Sequence, residues 1–252
     1  MRMSTLITSA VAVLSLGAFA PPTHAQNLTD VWILKPKAGV GMGFEAALRD
    51  HMEWRTEAGD PWRWNVYTVE TGPDVGTYLI RSSGHTWADF DAYEDGFGPQ
   101  AGLRVAAGFG DMIQSVEHRI EATDTARTRA APNPDDMNLF NVVTWYARAG
   151  QMEMLNEALD KFLSAIKEHD HPTYYTVLTT ASGSQGPPSI TVVFHEANWA
   201  DFAESDPTIM EIMQETYSET EMKEIQEQFG MAMARAEDYV VRHRRDLSGG
   251  GS

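Results

Sequence analysis

The chain has 252 residues, a formal net charge of −17 at pH 7 and no cysteine. This acidity argues against binding to nucleic acids or to anionic membrane surfaces, because both need clustered lysine and arginine. The lack of cysteine excludes thiol catalysis and disulfide bonds. Burial of apolar side chains must therefore hold the fold together.

The first 25 residues have the three parts of a secretory signal peptide. Arg2 gives the positive start, Leu6 to Ala20 form an apolar run, and Ala25 ends a small-residue cleavage site. No later run reaches the about 18 apolar residues that a membrane span requires. We predict a signal peptide over 1–25 and a periplasmic or secreted mature protein that has no membrane span after cleavage.

The rest of the chain contains an internal repeat. The tetrapeptide Trp87–Phe90 recurs as Trp199–Phe202, 112 residues later. Other identities recur at a spacing of 111 residues: Gly39 and Gly150, Ala47–Leu48 and Ala158–Leu159, Val66 and Val177, Thr68 and Thr179, and Gly72 and Gly183. This self-similarity predicts a duplicated domain. The first copy covers 26–122, a linker 123–137, the second copy 138–246, and a flexible glycine-rich tail 247–252.

Hydrophobic periodicity predicts the same order of elements in both copies. Strands are predicted at 31–35, 62–69, 77–81 and 112–120, and again at 139–147, 173–180, 190–195 and 238–244. A helix with apolar residues at i, i+3, i+4 and i+7 follows the first strand of each copy. A second helix begins at the repeated tryptophan. Helix N-caps are predicted at Thr86, Asn198 and Ser218, each with a carboxylate three residues further on.

The order β-α-β-β-α-β is that of a ferredoxin-like unit, in which both helices cover one face of the sheet. The other face also needs cover, because the strands do not alternate between apolar and polar residues. Ile190, Val192 and Phe194 point to one side, while Val193 points to the other. We predict an α+β fold in which two tandem ferredoxin-like units form one intramolecular pseudo-dimeric α/β barrel.

By its element order, duplication and repeated Trp-Ala-Asp-Phe helix start, the chain from Asp30 to about Arg245 resembles the dimeric α/β-barrel superfamily. This superfamily includes the antibiotic-biosynthesis-monooxygenase-like and NIPSNAP-like domains. The resemblance implies a barrel closed by two ferredoxin-like sheets. It also implies a choice among quinone-forming monooxygenases, haem degraders, haem peroxidases, isomerases and proteins without known activity, so it narrows the fold more than the function.

Five residues are candidates for binding a ligand. His195 ends a predicted strand and is either an acid–base group inside the barrel or a rim histidine bonded to backbone or water. Arg81 ends the corresponding strand of the first copy and is either an anion contact or a surface ion-pair partner. Trp64, Tyr67 and Tyr175 belong to an aromatic group on the second strands, which either lines a cavity for a flat apolar ligand or fills the barrel.

No cofactor or metal is predicted, although two alternatives exist. The run Glu168–His171 places four potential metal ligands at a helix end, where the helix dipole alone also favours histidine. The superfamily resemblance offers haem, with His195 as axial ligand and Arg63 or Arg81 at a propionate.

The sequence lacks a phosphate loop, a nucleophile elbow, a His-Glu-x-x-His motif and a dinucleotide fingerprint. Two hypotheses for function follow. The first is an exported small-molecule-binding or structural barrel module, monomeric or homodimeric, with a small apolar ligand as its partner. The second is a monooxygenase-like or haem-handling enzyme with a site inside the barrel.

Overall fold

The computed structural model describes residues 27–183 and 186–251, so the predicted signal peptide lies outside the described residues. Within this part of the chain, no helix is both long enough and apolar enough to cross a membrane. The described residues form six α-helices and nine β-strands.

The strands lie where the sequence predicts them, with ends shifted by a few residues. The elements of the first half are β1 Leu28–Pro36, α1 Gly41–Glu57, β2 Arg63–Val69, β3 Tyr78–His85, α2 Trp87–Asp95, α3 Gly98–Gly108 and β4 Ile113–Thr123. Those of the second half are β5 Leu139–Ala147, α4 Met152–Glu168, β6 Tyr175–Ser182, β7 Ser189–Glu196, α5 Ile209–Thr216, α6 Glu219–Ala232 and β8 Met233–His243, and a short β9 Gly249–Gly250 follows.

Eight of these strands close into an antiparallel barrel. The first half contributes the order β2-β3-β1-β4 and the second half the order β6-β7-β5-β8. The halves join twice, where β4 pairs with β6 and where β8 pairs with β2; Thr123 opposite Leu178 and Tyr67 opposite His243 are examples of these pairs. Closure gives both end strands of each half a hydrogen-bonding partner in the other half.

Both faces of the barrel wall carry buried apolar side chains, as predicted. An aliphatic cluster from both halves lies inside the barrel, where each buried side chain contributes about 1.5–3 kcal/mol: Val69, Leu79, Val142, Leu178, Val193 and Val241. Two further clusters lie outside the barrel, one under the helices of each half. Alternate side chains along each strand therefore point either into the barrel or towards the helices, and apolar residues occur in both sets.

The repeated tetrapeptide begins a helical turn in each half. Thr86 caps α2 in a capping box with Asp89, whose Oδ2 accepts a hydrogen bond from the Thr86 backbone N–H at 2.7 Å. Asn198 caps a single 3₁₀ turn, Trp199–Phe202, in the same way. The two tryptophan side chains are 43% and 47% exposed. The motif therefore starts helices and does not anchor the core.

The helices cover the two halves unequally. In the second half, Ile212 of α5 and Met222 and Ile225 of α6 are buried, and Ser218 starts α6 with the predicted capping box. Of the described side chains in α2, none is buried, and α3 buries only Ala101. The first half therefore has open space between its helices and its sheet.

The glycine-rich tail is held more firmly than its composition predicts. Gly249 and Gly250 pair with β2, the Gly250 N–H donates to Thr56 Oγ1 at 2.9 Å, and the Gly251 N–H donates to the Asp60 backbone oxygen at 3.0 Å. A Cβ atom on Gly250 would collide with the backbone oxygen of Trp62, and the residue has a φ of +75°. Glycine fits here because the backbone lies in a narrow slot between α1 and β2.

We predict that Gly250→Ala lowers the free energy of unfolding by about 3 kcal/mol, the sum of a positive-φ cost of about 1–2 kcal/mol and an overpacking cost of similar size. Gly76→Ala is the matched control, because Gly76 has a φ of +85° and no atom within 4 Å of its Cβ position. Urea unfolding of both variants measures the difference. Equal losses in the two variants would show that the tail is not packed in the slot.

Candidate functional site

Two cavities of about 580 Å³ each lie on opposite sides of the barrel wall. The first, the helix–sheet cavity, lies between α1, α2, α3 and the outer face of the first-half sheet. The second, the barrel cavity, opens at one end of the barrel interior. Both volumes fall within the range of about 300–1,000 Å³ that small-molecule sites occupy.

The helix–sheet cavity has mainly apolar and aromatic walls. The sheet contributes Trp32 and Leu34 from β1, Trp62 and Trp64 from the start of β2, and Ile80 from β3. The helices contribute Leu48, His51, Met52, Arg55, Phe90, Tyr93, Ala101 and Val105, and Phe109 follows α3. The residues of α3 that line the cavity are small, such as Ala101 and Val105, whereas Ile212 of α5 and Phe229 of α6 pack against the second-half sheet.

Trp62 forms the centre of an aromatic stack in this cavity. Its ring stacks on the ring of His85 at 3.8 Å and on the ring of Tyr93 at 4.1 Å, with interplanar angles of 17° and 21°. Phe90 meets the same indole edge-on at 5.1 Å. Such stacks fix ring planes, so the cavity has a flat and rigid wall.

A buried polar network fixes the aromatic side chains. Asp60, which is fully buried, accepts hydrogen bonds from Arg55 Nη1 at 2.5 Å, from Trp64 Nε1 at 3.1 Å and from the Tyr93 hydroxyl at 3.1 Å. Its other oxygen accepts from the Trp62 backbone N–H at 2.9 Å. A buried ion pair is costly unless its polar atoms are fully hydrogen-bonded. The four hydrogen bonds to the Asp60 carboxylate therefore offset the cost of burying it. The carboxylate in turn positions three aromatic residues.

His51 is neutral within this network. Arg55 Nε donates to His51 Nε2 at 2.8 Å, and because arginine keeps its protons, Nε2 must be the acceptor and Nδ1 must carry the ring hydrogen. Burial, aided by the charges of Arg55 and Arg104, lowers the pKa of His51 to about 3. In the described part of the chain, Nδ1 has no hydrogen-bond partner. His51 is therefore a donor to the interior and not a base.

A second polar group lies at the edge of the cavity, on β1 and β4. Asp30 is buried and accepts a hydrogen bond from His118 Nε2 at 2.5 Å and another from Trp32 Nε1 at 3.1 Å. The His118 and Trp32 rings stack at 4.0 Å. Because Nε2 donates to the carboxylate, Nδ1 of a neutral His118 carries the lone pair, and it has no partner among the described residues. This arrangement orients His118 as a proton acceptor.

The five predicted ligand-binding residues do not share one site. Trp64 lines the helix–sheet cavity, whereas Tyr67, Arg81 and His195 line the barrel cavity. Tyr175 is fully buried in the second-half core, and its hydroxyl lacks a partner within the described residues. The side chain of His195 points into the barrel, as one of its two alternatives required. The catalytic or binding role of Tyr67, Arg81 and His195 remains a prediction.

The histidines of the predicted metal cluster point to different partners. His169 Nε2 is 2.9 Å from Thr216 Oγ1, while the ring nitrogens of the buried His171 lie 2.8 Å from Thr173 Oγ1 and 2.9 Å from Ser205 Oγ. Both nitrogens of His171 are thus engaged. In residues 27–183 and 186–251, no three histidine or carboxylate side chains converge as a metal site would require.

Sequence patterns did not point to Asp30, Asp60 or His118 as site residues. The dipeptide His118-Arg119 of the first half recurs as His243-Arg244 in the second half. The two dipeptides are out of phase in the barrel: His118 lies outside the barrel and Arg119 inside, whereas His243 lies inside and Arg244 outside. Alternation along β1 places Asp30 and Trp32 on one face of the sheet, and the pairing of β1 with β4 brings His118 to the same face. Alternation was the sequence pattern that could have indicated this group.

No protein family and no curated protein matches the sequence. Solved structures do match its fold. An anthrone oxidase-like protein has a TM-score of 0.55 at 12% identity, over 87% of this chain and 92% of that chain. A protein of Fusobacterium nucleatum assigned provisionally as a monooxygenase has a TM-score of 0.55 at 12% identity, over 91% of this chain and 97% of that chain.

A chlorite dismutase mutant of Candidatus Nitrospira defluvii is also similar, with a TM-score of 0.51 at 8% identity over 87% of this chain and 92% of that chain. At these identities the likeness concerns the fold alone. The chain therefore has the fold of the dimeric α+β barrel proteins, an α+β structure around a closed eight-stranded barrel.

Proposed function

We propose that the protein binds a flat, apolar small molecule in the helix–sheet cavity. The observation that carries this proposal is a cavity of about 580 Å³ lined by stacked and buried aromatic rings, in the half of the molecule whose helices leave the sheet partly uncovered. A packed structural module would fill that space, since protein interiors tolerate few voids larger than a water molecule.

The proposal extends to the origin and location of the chain. The matching strand orders of the two halves and the repeated tetrapeptide support two tandem ferredoxin-like copies that form a pseudo-dimer. The signal-like N-terminus supports export to the periplasm or beyond. The mature protein is proposed to act as a monomer or homodimer.

A haem group inside the barrel does not fit the residues present. Its axial ligand would be His195, but Nε2 of that ring is 3.0 Å from Thr176 Oγ1, and Phe140 meets the ring edge-on at 5.3 Å. Arg81, one candidate for a propionate contact, already donates to Glu121 at 2.7 Å.

Binding is tested with 2-naphthol, a flat bicyclic aromatic compound, and with decahydro-2-naphthol, its puckered saturated counterpart. We expect isothermal titration calorimetry to show at least tenfold tighter binding of the flat compound. Val105→Phe fills the cavity from α3 and should weaken 2-naphthol binding at least tenfold. Leu103→Phe is the matched control on the same helix, because Leu103 is 74% exposed and outside the cavity.

Equal binding of the two compounds, or a Val105→Phe variant that folds and binds as the parent does, would contradict the proposal. The melting temperature of each variant shows whether the fold is kept.

A second candidate function is an oxidase or monooxygenase activity at the same cavity. The observation that favours it is His118, which Asp30 orients as a base at the cavity edge. With anthrone as a trial substrate, His118 Nδ1 would take the proton from C10, and dioxygen would oxidise the resulting carbanion. One oxygen atom enters the product as the new carbonyl of anthraquinone, and the other leaves in water.

We predict that this activity, if present, falls at least a hundredfold in His118→Asn and in Asp30→Asn, because removal of a general base costs about 10²–10⁴ in rate. Oxygen consumption with anthrone measures it, and His169→Asn, a histidine outside the cavity, serves as control. Oxygen uptake no faster than in protein-free buffer would remove the enzyme hypothesis and leave the binding proposal intact.

A further inference from the structure

The barrel cavity, on the inner side of the wall, combines a buried aliphatic surface with a charged mouth. Beside the ion-paired Arg81, Glu121 and Arg119, its deeper lining contains five buried aliphatic residues: Leu79, Val142, Leu178, Val193 and Val241. Leu79, Arg119 and Tyr239 also line a further cavity at the opposite end of the barrel, so these three residues separate the two ends. The barrel cavity is therefore a blind pocket with a buried aliphatic surface beside its closed end.

Aromatic rings from both halves form one side of this pocket. The rings of Tyr67 and His243 stack at 4.9 Å, Phe140 meets Tyr67 edge-on at 5.4 Å, and His195 meets Phe140 edge-on at 5.3 Å. These contacts cross the join between β2 and β8, so neither half builds the wall alone. Burial lowers the pKa of His195 and of His243 to about 4, the latter with help from Arg245 and Arg63. Both rings are therefore neutral at pH 7.

Four arginines and only two carboxylates line the pocket, although the chain as a whole is strongly acidic. Arg81 and Arg119 share one buried carboxylate, Glu121, whose oxygens lie 2.7 Å from Arg81 Nη2 and 2.9 Å from Arg119 Nε. Asp135 is the other acid. Because the histidines are neutral, the pocket has an excess of positive charge that nothing among its described lining residues balances.

The unbalanced charge lies at the mouth, on Arg63 and Arg245. Neither has a carboxylate within 4.0 Å in the described part of the chain. Arg245 is fixed by neutral acceptors, the backbone oxygens of Asp135 and Met137 and the side-chain oxygen of Asn138. These contacts hold its guanidinium in place while leaving its charge uncompensated, which is the arrangement expected of a site for an anion.

We propose that the barrel cavity is a second binding site, which takes a small amphipathic carboxylate with its head group at Arg63 and Arg245 and its apolar part against the buried aliphatic residues. The two ends of the pocket match the two ends of such a ligand. An inorganic anion would leave the apolar end unused, and a neutral hydrocarbon would leave the arginines without a partner. This site is independent of the helix–sheet cavity and lies across the wall from it.

The test uses decanoate and decan-1-ol, which differ in the charge of one end, in titration calorimetry of the full-length mature protein at pH 7. Decanoate should bind at least tenfold more tightly than decan-1-ol. Arg63→Gln should weaken decanoate about tenfold or more and leave decan-1-ol unchanged, since hydrogen bonds to charged groups contribute that much. Arg63 is exposed and has no ion pair within the described residues, so this variant should fold.

Two further variants complete the test. Arg245→Gln should weaken decanoate at least as much as Arg63→Gln, and Arg104→Gln, which removes the same charge from the outer surface of α3 beside Trp54, should change nothing. Binding of both compounds with equal affinity, no change in Arg63→Gln, or equal losses in Arg63→Gln and Arg104→Gln would each overturn the proposal. Val105→Phe should bind decanoate normally, which separates failure here from failure at the helix–sheet cavity.

Discussion

The structure depends on one constraint: its strands carry apolar side chains on both faces, and these side chains must be removed from water. A flat sheet with helices on one side would leave the other side exposed. Closing the strands of both halves into a barrel hides that side, where residues such as Leu79 and Val193 meet. The helices then need to cover only the outer surface. The wall therefore separates two interiors, and each can be packed or hollow independently.

The differences between the two halves determine which interior is hollow. The second half fills its outer space with large side chains from α5 and α6, while the first half faces its sheet with Ala101 and short neighbours on α3. Hydrogen bonds to Asp60 fix Arg55, Trp64 and Tyr93 in the wall of this space. Inside the barrel, the ion-paired Arg81, Arg119 and Glu121 occupy positions that aliphatic residues could otherwise fill.

Local patterns in the sequence predicted most of the fold and part of the site. Strand positions and the N-caps at Thr86 and Ser218 follow from neighbouring residues alone, and the inward direction of His195 follows from alternation along β7. Alternation along β2 also places Trp64 and Tyr67 on opposite faces of the wall, although both belong to the aromatic group predicted on the second strands. The contact between Asp30 and His118 could not be predicted in this way, because it depends on the pairing of β1 with β4. The position of the tail depends on the narrow space beside Trp62. Such features depend on tertiary packing, which no local pattern contains.

The central claim is that one barrel wall carries two separate binding sites, one on each face. Calorimetric titration of decanoate into protein already saturated with 2-naphthol tests it most directly. The account predicts that decanoate binds with the same affinity and the same stoichiometry of one as in the absence of 2-naphthol. Displacement of 2-naphthol, or decanoate binding weakened in proportion to the 2-naphthol concentration, would show that both compounds use a single site and would contradict the account.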